Sequence, residues 1–128
     1  MRRIRRSVGV AGAALVMTAT GVALAPTASA AQSDCPRGHV CVWDNPNFSG
    51  LPRWKSQGNL SGLHSENGMS IVNNGVADPG ADHIRWRVTW DDGQYASGCL
   101  HYPPDSNAHR FTGGGGVTLN SAVWGPEC

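Results

Sequence analysis

The sequence predicts an all-β fold, a two-sheet sandwich, on three observations. Beyond residue 30, no stretch of about ten residues shows an apolar 3.6-residue period free of Gly or Pro, which removes the helical signal. Short apolar runs instead recur roughly every eight to twelve residues, each bounded by turn-forming residues, the spacing of strands in a sandwich or small barrel. There is also a faint internal repeat. Cys41-Val42-Trp43-Asp44-Asn45-Pro46-Asn47 aligns with Cys99-Leu100-His101-Tyr102-Pro103-Pro104-Asp105, and Met69-Ser70-Ile71-Val72 aligns with Asn120-Ser121-Ala122-Val123. Two four-stranded units related by such symmetry would pack their apolar faces into one core.

Taken in order, residues 39–44 read as a strand and Asn45-Pro46-Asn47 as a turn. Residues 51–57 read as an edge strand, because Pro52 has no N–H to give to a ladder. Residues 69–73 form a short apolar strand ended by Asn73-Asn74-Gly75. Residues 83–90 give the clearest signal: Ile84, Trp86, Val88 and Trp90 alternate with His83, Arg85, Arg87 and Thr89, the period of a strand with one buried face. Asp91-Asp92-Gly93-Gln94 predicts a hairpin returning through 95–101. Glycines 113–116 read as a flexible loop tip, and residues 117–124 close the domain.

Residues 1–30 are expected to be a cleaved secretory signal. Met1 to Arg6 is basic, residues 8–25 are uncharged, and Ala28-Ser29-Ala30 supplies small residues for signal peptidase. A membrane anchor is the rival, but Gly, Ala and Thr make the run weakly apolar and a cleavage site follows it. Four of the ten basic residues and none of the nine acids lie in this segment, so residues 31–128 carry a net charge of −3. That balance offers no footprint for nucleic acid and no polybasic patch for a membrane.

The remaining 98 residues suffice for one domain with a modest core, expected to act as a monomer. All four cysteines fall within it, and export places them in an oxidising compartment. Three pairings are possible. Cys35–Cys41 around Pro36-Arg37-Gly38, with Cys99–Cys128 tying down the carboxyl terminus, is favoured. Zinc is disfavoured, because no second close cysteine pair matches the first.

Of the five tryptophans, Trp86 and Trp90 share the core face, whereas Trp54, between Arg53 and Lys55, is the candidate exposed aromatic for a sugar or an interface. The histidines show no metal-binding spacing and read as scattered surface residues. No G-x-S-x-G elbow and no unpaired reactive cysteine supports catalysis, so neither an enzyme nor a cofactor is expected.

Residues 35–50, Cys-Pro-Arg-Gly-His-Val-Cys-Val-Trp-Asp-Asn-Pro-Asn-Phe-Ser-Gly, followed by Ser70-Ile71-Val72-Asn73, resemble secreted actinobacterial proteins of peptidase inhibitor family I36. Those open with C-P-x-G-x-V-C-[LV]-[YW], continue to N-[FY]-x-G and reach S-x-V-N. The resemblance implies a βγ-crystallin-like pair of Greek keys and an extracellular peptidase as partner. It also implies a substrate-like inhibitory bond between a Cys and an aliphatic residue, which here is Cys99-Leu100 and suits thermolysin-like metalloproteases; the Cys that closes that loop in the family has no counterpart before Cys128. The rival is a crystallin-like binding or structural module for cell wall, glycan or another protein. Calcium is not expected, since Met69 stands where a crystallin-type site needs a hydroxyl ligand.

Overall fold

The computed structural model describes residues 34–104 and 110–128; the expected signal segment, Asp105 and His109 lie outside them. Among the described residues, eight strands run in the order β1 (His39–Trp43), β2 (Trp54–Ser56), β3 (Leu63–Ser65), β4 (Met69–Asn74), β5 (His83–Trp90), β6 (Tyr95–Leu100), β7 (Arg110–Gly113) and β8 (Val117–Gly125). They form two four-stranded sheets, β2-β1-β4-β7 and β3-β8-β5-β6, with every pairing antiparallel. In each half the fourth strand returns beside the first, as in a Greek key, while the third crosses to pair in the other sheet. The expected two-sheet fold is therefore present, and the exchange of β3 and β7 binds its halves together.

The sheet order also corrects the phase of the internal repeat. β1 and β5 hold equivalent places, as do β2 and β6. Cys41 in β1 and Cys99 in β6 are therefore not counterparts. Met69 faces Gly113 as Val117 faces Ser65, so Ser70 corresponds to Thr118 and not to Ser121. Of residues 113–116, Gly113 ends β7 opposite Met69, while 114–116 form the loop to β8, where the Gly114 carbonyl accepts the Trp90 indole N–H at 2.9 Å.

Val40, Val42, Ile71, Ile84, Val88 and Leu119 are among the side chains that meet between the sheets. Strand alternation turns Cys41 and Trp43 of β1 the other way, into a second cluster with Cys35 and Val72. Phe48, from the β1–β2 connection, packs edge-on against Trp43 with ring centroids 5.5 Å apart. The outer face of the first sheet is thus covered by the amino-terminal disulfide and by this loop.

Candidate functional site

The two disulfides are those the spacing favours, Cys35–Cys41 and Cys99–Cys128, with Cα separations of 5.8 and 6.0 Å. Cys99-Leu100 is strand backbone at the end of β6: Cys99 lies opposite Arg85 and Leu100 opposite Ile84. Leu100 is 2 % exposed and belongs to the core between the sheets. An inhibitory loop must show its aliphatic side chain to solvent, and the alternation of β6 turns this one inward.

Trp54 differs from its expected exposure. It is half-buried against the core, and the Arg53 guanidinium lies 4.6 Å from its ring centroid. One face is thus packed and the ring carries a cation already.

A surface feature held by several side-chain bonds is the loop between β1 and β2, residues 44–53. At its base Arg53 Nη1 bonds to Asp44 Oδ2. The Asn45 side chain folds inside it, accepting the Ser49 N–H at 2.9 Å and donating to the Ser49 carbonyl at 2.9 Å. From β4, Ser70 Oγ donates to the Asn45 carbonyl at 2.6 Å and accepts the Phe48 N–H at 3.2 Å. Trp43 Nε1 donates to the Gly50 carbonyl at 2.9 Å. Phe48 and Gly50 are both left-handed, with φ of 58° and 70°, a conformation Gly adopts freely and Phe adopts only where contacts enforce it. The apex this produces carries Leu51, 78 % exposed. The sequence assigned Leu51 to a strand, yet β2 starts only at Trp54; its signal was the flanking Gly50 and Pro52, both poor strand residues.

Asp44 is held below the ordinary carboxylate range by the Ser65 hydroxyl; desolvation opposes this, and the Arg53 charge and hydrogen bond and the His64 charge reinforce it. The Asp44 end of the clasp is therefore a carboxylate at neutral pH.

A second polar group lies at the far end of β5. His83 is buried, contrary to the expectation of a surface residue. Its Nδ1 donates to Asp82 Oδ1 at 2.6 Å and its Nε2 lies 3.0 Å from His101 Nδ1. Tyr102 packs edge-on to the same ring. No nucleophile joins this group among the described residues, so it reads as a satisfied polar core network. His64, Glu66 and Asp91 also approach within 4.8 Å on the surface. Both His64 nitrogens are engaged, by Thr118 Oγ1 at 2.9 Å and Glu66 Oε1 at 3.2 Å.

Compared with known proteins, the chain matches the model of peptidase inhibitor family I36 over residues 28–102. No curated protein and no solved structure matches it. The matched span takes in β1 to β6, the clasped loop and Ser70-Ile71-Val72-Asn73, more than half of the sequence. The chain belongs to peptidase inhibitor family I36.

Proposed function

We propose that the protein is an exported, monomeric, non-enzymatic inhibitor of a secreted peptidase, and that the target is a thermolysin-like metalloprotease. The family match carries the reading, and it implies a peptidase as partner. Residues 1–30 supply the export signal, and two disulfides suit a protein that works outside the cell. The physical requirement of such an inhibitor is a surface segment ordered before it meets the enzyme, since the ordering cost is then already met.

The test is a titration of the oxidised protein against a thermolysin-like metalloprotease, with subtilisin and trypsin in parallel. Stoichiometric loss of metalloprotease activity is expected. No inhibition of any of the three at micromolar concentration would sink the reading.

Burial of Leu100 favours a second reading, a crystallin-like extracellular binding module. The outer face of the second sheet, where Arg85 and Arg87 are exposed beside Ser97, would then be its contact surface. Retention on cell wall or an acidic glycan by a protein inert toward peptidases would support it.

A further inference from the structure

The inhibitor reading leaves open which residues meet the enzyme. Resting on that reading, we infer that the β1–β2 loop is the peptidase contact, with Leu51 as the side chain that enters a leucine-accepting primary pocket of the target.

An exposed leucine alone means little, because folded surfaces carry many apolar atoms. Leu51 differs in what surrounds it. It is the most exposed of the large apolar side chains among the described residues. The backbone leading to it is fixed at Asn45, Phe48, Ser49 and Gly50 by the hydrogen bonds from Asn45, Ser70 and Trp43. Behind it, Pro52 fixes its own φ, and Arg53 closes the loop onto Asp44. Phe48 anchors the whole arrangement into the cluster with Trp43 and the Cys35–Cys41 disulfide. The loop is thus rigid at its base and flanks, and apolar at its apex. That is the arrangement of a preorganised ligand for a pocket that takes an aliphatic side chain.

The same bonds explain how a peptidase would be held without rapid turnover. Attack on the Gly50–Leu51 bond requires the Gly50 carbonyl to reach the enzyme's polarising group, but that oxygen faces inward to the Trp43 indole N–H. The Leu51–Pro52 bond has no N–H on its leaving nitrogen. A docked Leu51 therefore sits between two bonds poorly presented for hydrolysis. Cys99-Leu100, within β6 and with its leucine in the core, offers no such apex.

The experiment compares wild type, Leu51→Ser and Arg53→Gln in the oxidised protein, measuring inhibition of thermolysin, thermal stability and, by mass spectrometry, cleavage of the inhibitor. Leu51 is exposed, so Leu51→Ser should melt with wild type while its inhibition constant rises at least about tenfold, equivalent to about 1.4 kcal/mol. Arg53→Gln loosens the clasp and should turn the protein into a slow substrate cut beside residue 51. Inhibition by Leu51→Ser equal to wild type would overturn the loop assignment while leaving the inhibitor reading intact. A wild-type protein that inhibits no peptidase would overturn both, and is told apart because the loss precedes any substitution.

Discussion

Asn73 is fully buried, and its side chain serves three backbone groups from separate parts of the chain. Its Nδ2 donates to the Asp82 and Leu100 carbonyls, each at 2.9 Å, and its Oδ1 accepts the Gly75 N–H at 2.8 Å. One amide thus joins β4 to the start of β5 and the end of β6, across the two sheets. The sequence marked this residue as a strand-ending signal and as the last letter of a family motif, but not as a cross-link, because nothing local announces a hydrogen bond to residues 9 and 27 positions away. The neighbouring Asp82 has a testable consequence. Burial works against its charge, but the Asp78 N–H at 3.0 Å and His83 outweigh it, and its carboxyl is lowered from 3.8. A carboxylate more acidic in the folded state than in the unfolded one contributes stability that is full above the unfolded value and lost as pH falls through the folded value. The melting temperature of wild type should therefore decline as pH falls below about 4, and Asp82→Asn should flatten that decline. A variant whose pH profile below about 4 runs parallel to wild type would refute the assignment.

Among the elements, β5 occupies the residues its alternation predicts, because a long strand with one buried face writes a period-2 pattern directly. β3 and β7 escaped, being three and four residues long and flanked by turn residues that mask so short a pattern. β8 is instructive in another way. Val117 and Leu119 point inward, and so do Ala122 and Trp124, which breaks strict alternation. The register supplies the reason: Arg87 faces Ser121 but Val88 faces Leu119, so Asn120 is an extra residue, a β-bulge, exposed and bonded through Oδ1 to Thr89 Oγ1 at 2.8 Å. Deleting Asn120 would restore a regular ladder with both inward pairs kept inward. That deletion should fold and cost only about 1 kcal/mol for the lost side-chain hydrogen bond. Deleting Thr118 moves Val117 from the core face to the solvent face and should abolish the cooperative thermal transition. Circular dichroism melts of the two deletions separate a tolerated bulge from an essential register; equal losses would show that the bulge itself is required.

Across the whole molecule, the two disulfides serve different ends, and their removal discriminates between the β1–β2 loop and Cys99-Leu100 as the enzyme contact. Cys99–Cys128 closes 29 residues and anchors the carboxyl terminus to edge strand β6. Chain entropy alone makes it worth about 3–4 kcal/mol. Cys35–Cys41 closes only 6, worth roughly 2 kcal/mol by the same reasoning, yet both its cysteines are buried with Trp43, Val72 and Phe48 beneath the clasped loop. Replacing Cys99 and Cys128 together by Ala should therefore lower the melting temperature by well over about 10 °C but leave peptidase inhibition intact at temperatures where the domain is folded. Replacing Cys35 and Cys41 together by Ala leaves a gap under Phe48 and should weaken inhibition at about 25 °C through the loop, beyond any loss of folded protein. The opposite pattern, inhibition lost with Cys99–Cys128 and spared without Cys35–Cys41, would return the contact to Cys99-Leu100. It would require β6 to release Leu100 from the core when the enzyme binds, a cost that the β1–β2 loop does not face because its leucine is already outside.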